Sequence, residues 1–480
     1  MELTQKEIQR LGQKVVDFIT YHLSSLDDSI ILPANLVPAR LREILDEPLP
    51  REPQGIDAAF DDFLDKVVAN SVRVGHPRFL AWMRTSPLAA AIYAQALAAA
   101  INQSVSVWEG GPSATEVELR VIEWLKEITG YAPEAGGLLT SGGSMANFTG
   151  LQAARSAADP DVRFSGLTGK PPFTIYVTSE THYSICKAAE MMGIGWRYVR
   201  QIAMDSNLCM EPVDLRRQIQ SDLAAGLRPM AVVGTLGSTS TGACDDLAAI
   251  GKVCQEMGIW LHVDGAYGGC VNLLPEKRHL ADGLAQADSF VIDPHKTLMM
   301  PFEVGCILVK NPTYLYKAFA AQTDYLPNST FEDPDAPFNF RDYGPQLSRG
   351  FRALKIYLAL KVHGVNALVT EITRQFALAE KFVEMIRRTP DFEPLAPAVL
   401  STVVFRYLGK SNPEMHDDDE YLNRLNSRIP PVVRHRGRVF LTETRVRDKI
   451  AIRVYFYSHR TKDEDLLIIL DEIRQAAQQV

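Results

Sequence analysis

Five short runs of aliphatic and β-branched residues constrain this chain more than any other feature: residues 174–178, 230–235, 260–264, 289–292 and 305–309. Most are apolar along both faces, and helical stretches separate several of them. Strands buried on both sides, with helices between them, belong to a parallel sheet covered by helices rather than to a sandwich with one wet face. The pattern predicts an open, doubly wound α/β domain with ligands at the carboxyl ends of its strands. This texture runs from about residue 71 to about residue 360.

The flanks read differently. Thr4 and Glu7 have the spacing of a capping box, and Ile8, Leu11, Val15, Phe18, Ile19 and Leu23 recur on one helical face. A proline-rich connector at 46–53 precedes a second amphipathic helix at 57–68. So small a helical pair has little of its own to cover its apolar stripe, which predicts docking on the main body or on a second subunit. After residue 360 a smaller α+β unit is expected: a long helix at 365–388, strands near 402–407 and 450–457, a polar loop at 409–419 and a closing helix at 463–478. The expected division is therefore a helical segment at 1–70, a large domain at 71–360 and a small domain at 361–480.

Composition narrows the function. Of 480 residues, 46% are hydrophobic and 22% charged, which excludes a disordered or collagen-like chain. With 50 Lys plus Arg against 58 Asp plus Glu the net charge is −8, which argues against nucleic acid or an anionic membrane surface as partner. The cysteines (186, 209, 244, 254, 270 and 306) are scattered with no CxxC pair, as in a reduced interior. The N-terminus has charges where a signal peptide has an apolar core, and the apolar run at 89–101 is too short to span a bilayer. The chain reads as a cytoplasmic enzyme.

Four constellations stand at or near strand ends. Thr140-Ser141-Gly142-Gly143-Ser144 opens a helix, and a glycine-rich turn there presents backbone N–H groups and a positive dipole end to a phosphate; a plain strand-to-helix turn has the same form. No GxGxxG and no GxxxxGKS occurs. Asp264, in His262-Val263-Asp264-Gly265-Ala266, ends an apolar strand, where a carboxylate either caps the next turn or meets a cation. Lys296, in Asp293-Pro294-His295-Lys296, follows another strand; lysines there are usually solvated, but a desolvated one is a Schiff-base nucleophile. His182 follows a third strand, where a structural role is commoner. Together the four supply what pyridoxal phosphate (PLP) needs: a phosphate anchor, a covalent lysine, a stacking ring and an anion at the ring nitrogen.

With these residues in view, the chain resembles the group II PLP-dependent amino-acid decarboxylases, which include the aromatic-L-amino-acid, tyrosine, histidine and glutamate enzymes. The likeness runs from GHPRFLAW (75–82) to IAIRVYFYSHRT (450–461), and is strongest in LLTSGGSMANFTGLQAAR, TLGSTSTGACDDL, WLHVDGAYGG, DSFVIDPHKTL and SRGFRALKIYL. It implies Lys296 as the lysine that binds the cofactor, Asp264 as partner of the pyridine nitrogen, His182 stacked on the ring and Ala266 under its other face. Gly143, Ser144, Thr235, Asp293 and His295 would surround the phosphate or the ring edge. The implied fold is the aspartate-aminotransferase type (fold type I): a large, mainly parallel seven-stranded sheet domain, a smaller C-terminal α+β domain, and an N-terminal helical segment that dimerises with a second copy.

The resemblance implies decarboxylation of an L-amino acid to its amine. One position departs from it. The family's proton-donating loop tyrosine falls, counted without gaps from Phe351, on Phe340, with Tyr343 three residues on. Either Tyr343 or another group returns the proton, or the donor is absent; in plant relatives a phenylalanine there goes with oxidative deamination to an aldehyde. The segment 327–343 has the composition of a flexible lid. Phe79, Trp82 and Trp108 fall in segments that line the substrate pocket of aromatic decarboxylases, which favours an aromatic substrate, although aromatic residues also fill cores. Arg78 leaves room for glutamate or another amino acid. Two rival readings remain: a hydrolytic metal site from His262, Asp264, Asp293 and His295, which accounts for neither Lys296 nor the glycine turn, and a non-catalytic protein that keeps the cofactor fold.

Overall fold

The five expected strands form, with one shifted by a residue and one extended by two. In chain order the large sheet contains β1 (Gly136–Thr140), β2 (Phe173–Val177), β3 (Val199–Gln201), β4 (Arg228–Thr235), β5 (Trp260–Asp264), β6 (Ser289–Ile292) and β7 (Gly305–Val309). The computed structural model describes residues 2–33, 36–320, 336–409 and 418–480. The strand order is β1-β7-β6-β5-β4-β2-β3. Strand β7 runs antiparallel to both neighbours, and every other pairing is parallel. Strands β1, β2, β5, β6 and β7 are buried throughout, which is why their sequences do not alternate. Edge strand β3 is short and ends in exposed Gln201, which blunts the sheet's margin. This is the fold type I architecture.

A second sheet contains β8 (Phe392–Pro394), β9 (Thr402–Tyr407), β10 (Thr442–Val446) and β11 (Lys449–Tyr455) in the order β10-β11-β9-β8. The closing helix is Asp463–Ala477, and the long helix Ala353–Arg387 is broken at Gly364, whose φ of 73° is non-helical. The chain forms two compact units. One comprises Met1–Ser86, Lys381–Leu395 and Val404–Val480, and the other comprises Pro87–Glu380 and Ala396–Val403. The N-terminal helix Gln5–Ser24 carries the expected capping box and buries none of its residues. The next amphipathic segment is helical over Ile56–Asp62 and continues as a π-turn, Phe63–Val67. Of the predicted lid, residues 327–335 lie outside the described residues, as do 410–417 of the polar loop. No helix among the described residues is long and apolar enough to cross a membrane.

Candidate active site

Register puts the chemistry at one end of the large sheet. In the β4–β5 pair Thr235 stands opposite Asp264, so their side chains leave the carboxyl ends of adjacent strands together. Strand β1 leads through Ser141-Gly142 into the helix Gly143–Ala158; Gly142 adopts φ 150° and ψ 179°, a conformation only glycine takes without strain, and no side chain caps the helix. His182 follows β2, and Asp293-Pro294-His295-Lys296 follows β6. Gly143, Ser144, His182, Thr235, Asp264, Ala266, Asp293, His295 and Lys296 thus all line a single cleft of about 290 Å³. A larger cavity, about 510 Å³, opens by Met230, Trp260 and Asp288, at the amino ends of β4 and β5, and contains none of them.

The charges in the cleft are mutually supported. Lys296 Nζ lies 3.3 Å from Asp293 Oδ2, and His295 Nε2 lies 3.6 Å from the same oxygen. Burial lowers the His295 pKa, against the pull of Asp293, so the imidazole is a neutral neighbour at physiological pH. Burial likewise lowers the His182 pKa, although Asp264 acts the other way. Asp264 is 6% exposed. Its Oδ1 accepts the Ala266 N–H at 3.1 Å, and its Oδ2 accepts Asn147 Nδ2 at 2.8 Å. The carboxylate is therefore fixed in direction by two donors.

Four sequence-derived positions are not among the cleft's lining. Trp108 donates its indole N–H to Glu116 at 2.9 Å. Phe79 and Trp82 belong to the other compact unit, where both pack on Phe440 with ring centroids 4.9 Å apart. Tyr343, expected on a mobile loop, is instead 1% exposed and stacked on Phe338 at 4.6 Å. Phe340 is also fully buried and lies beneath the Arg349 guanidinium at 5.1 Å. The apolar bodies of Phe340 and Tyr343 account for this: both serve as core beside the sheet. The metal reading fails on a specific contact, since both His262 nitrogens are taken, by Ser289 Oγ at 2.7 Å and Asn147 Oδ1 at 2.9 Å.

Sequence reasoning missed Asn147, Tyr267 and Phe302. Phe302 stacks on His295 at 4.4 Å. Asn147 was detectable: it is the lone amide on a buried helical face otherwise built from Ala146, Gly150, Leu151 and Ala154.

Residues 38–408 match the family model described as the pyridoxal-dependent decarboxylase conserved domain. The chain belongs to this family. It is a PLP-dependent amino-acid decarboxylase. It is 32% identical to an aromatic-L-amino-acid decarboxylase of Bacillus atrophaeus over 100% of this chain and 97% of that one. It is 28% identical to a phenylacetaldehyde synthase of Arabidopsis thaliana over 94% and 92%. Among solved structures it resembles Oryza sativa TDC with PLP and tryptamine, with a TM-score of 0.93, 26% identity and coverage of 100% and 99%. Mouse CSAD gives 0.91, 27% identity and 99% of each chain.

The decarboxylase's cleft fits the cofactor on its own geometry. Thr235 Oγ1 and Asp293 Oδ1 are buried there without hydrogen-bond partners, and buried polar atoms of this kind call for a ligand. The uncapped start of the helix Gly143–Ala158 leaves backbone N–H groups for a phosphate.

Proposed function

We propose that this decarboxylase converts an aromatic L-amino acid to its amine and carbon dioxide. The observation that carries the substrate class is the state of Arg78. Its guanidinium pairs with Asp465 at 2.7 Å and donates to the Arg438 carbonyl at 2.9 Å, so it is committed within its own unit and not free for an acidic side chain. The aromatic decarboxylases among the relatives support the same class.

PLP, when bound, supplies an aldehyde that takes up an amine and a ring that accepts the electron pair left as carbon dioxide departs. The chain's residues do the rest. Lys296, whose Nζ lies in the cleft, would hold the cofactor covalently. Asp264, held by Asn147 and Ala266, keeps a proton on the ring nitrogen and so maintains the ring's electron demand. His182 and Ala266, both in the cleft's lining, would flank the ring. Gly143, Ser144, Thr235, Asp293 and His295 hold the phosphate and ring edge. On the sequence resemblance alone, Phe79, Trp82 and Trp108 are assigned to recognition of the substrate side chain.

A second reading is favoured by the burial of Phe340 and Tyr343, neither of which lines the cleft to return a proton. In it, dioxygen and water would be consumed with the amino acid, and the products would be an aromatic aldehyde, ammonia, carbon dioxide and hydrogen peroxide. A panel of L-amino acids, scored for carbon dioxide, amine, aldehyde and peroxide, separates the cases. Amine in step with carbon dioxide is expected with aromatic substrates. Peroxide and aldehyde in equal amount would establish the second reading, and carbon dioxide from glutamate alone would overturn the substrate class.

We also assign the protein to a cytoplasmic homodimer. The six cysteines are unpaired thiols. The N-terminal helix buries none of its residues and leaves Ile8 and Val15 exposed on one side, an apolar stripe that a second copy would cover. Sedimentation at the monomer mass would refute the dimer.

A further inference from the structure

A buried polar chain runs behind Asp264. Trp260 Nε1 donates to Ser289 Oγ at 2.8 Å, and Ser289 Oγ meets His262 Nδ1 at 2.7 Å. His262 Nε2 meets Asn147 Oδ1 at 2.9 Å, and Asn147 Nδ2 donates to Asp264 Oδ2 at 2.8 Å and to Ser184 Oγ at 3.0 Å. Ser184 Oγ in turn meets His182 Nδ1 at 2.8 Å. His262 and Ser289 are 0% exposed and Asn147 1%, so no solvent completes the bonds of these three.

Only one direction of donation satisfies every member. A carboxylate accepts and cannot donate, so the amide nitrogen of Asn147 must face Asp264, leaving its oxygen toward His262. That oxygen requires a proton on His262 Nε2. The ring is neutral, its pKa pushed down to about 4 by burial, so Nδ1 is an acceptor and Ser289 must donate to it. Ser289 then has a lone pair for the Trp260 N–H. On the second branch, the Ser184 backbone N–H also points at His182 Nδ1, at 3.3 Å. A backbone N–H only donates, so His182 carries its ring proton on Nε2.

We propose that Asn147 is a positioning residue that couples Asp264 to His182. Its one amide aims the carboxylate and, by donating to Ser184 Oγ, turns that hydroxyl's proton toward His182 Nδ1, with His262, Ser289 and Trp260 fixing which way the amide faces. This rests on the proposed function and deepens it. A reversed amide would set oxygen against the Asp264 carboxylate and leave His182 without its hydroxyl donor.

The test compares purified holoenzymes of wild type, Asn147→Leu, His262→Leu and His262→Gln by PLP dissociation constant, kcat and KM. Leucine keeps bulk and removes the polar link, whereas glutamine retains an N–H for Asn147 Oδ1. Asn147→Leu loses a hydrogen bond to the Asp264 carboxylate and His262→Leu loses the N–H that holds the amide facing it, which predicts PLP binding weakened about tenfold in both leucine variants, with kcat lowered and KM within about twofold. His262→Gln should remain within about threefold of wild type. A glutamine variant as impaired as His262→Leu, or leucine variants that bind PLP like wild type, would overturn the coupling. Should Asn147→Leu not fold, the His262 pair decides alone. A wild-type protein that binds no PLP would instead refute the function on which the coupling rests.

Discussion

Replacing Arg349 with Met tests how the cleft's floor is held. Arg349 and Glu118 form an ion pair with side chains 1% and 0% exposed. Glu118 Oε1 also accepts the Leu139 N–H at 3.0 Å, and Arg349 donates to the Leu139 carbonyl at 2.9 Å. The pair thus pins β1 just before the Ser141–Gly142 turn. It is incompletely satisfied: Glu118 Oε2 and Arg349 Nε and Nη1 have no partners. Burial raises the Glu118 pKa, and burial lowers that of Arg349, so both charges are maintained chiefly by each other. Removing one partner from such a pair costs about 3–5 kcal/mol, whereas apolar replacement of both is often neutral. Urea-denaturation midpoints of Arg349→Met, Glu118→Leu and the double variant should therefore show each single change as severe and the double as milder than their sum. The sign with pH follows from Glu118. A carboxyl whose folded pKa is raised adds stability below its unfolded pKa and loses it as pH rises through the folded value. The deficit of Arg349→Met should accordingly shrink as pH falls toward about 4.5. A deficit below about 1 kcal/mol, the same at neutral and acid pH, would refute the reasoning.

Lys296→Ala should bind PLP without the visible absorbance of the tethered cofactor and lose turnover; wild-type rates in that variant would remove Lys296 from its role. His262 has a folded pKa near 4, below its unfolded value of about 6.5, so its contribution is present above about pH 6.5 and lost on acidification toward about pH 4. The stability of His262→Gln should fall less over that window than wild type's, measured by denaturant titration at each pH, although His76, lowered in the same way, leaves some slope in both. Gly12 lies exposed within Gln5–Ser24 with open space around its Cα, so Gly12→Ala should stabilise the helix by about 1 kcal/mol, read as roughly fivefold slower amide exchange. Faster exchange would contradict it.

The architecture was legible because burial writes itself into composition. Strands β5, β6 and β7 match their expected bounds, since residues covered on both faces must be apolar throughout. Strands β1 and β3 were not anticipated. The first opens with Gly136-Gly137 and the second is only Val199–Gln201; both are ordered by pairing with distant neighbours, which no local propensity records. The same division runs through the site. Residue type and position after a strand sufficed to nominate Lys296, Asp264 and His182, because a parallel sheet delivers every strand's carboxyl end to one edge. Where a side chain points from a loop or helix depends on packing that arises only when the chain closes. Sequence alone therefore placed Phe340 and Tyr343 on a lid, and only the tertiary structure buried them and set Asn147 between a carboxylate and two histidines. Hydrogen-bond direction is a property of the assembled network, since each donor is assigned only once its partner's needs are known.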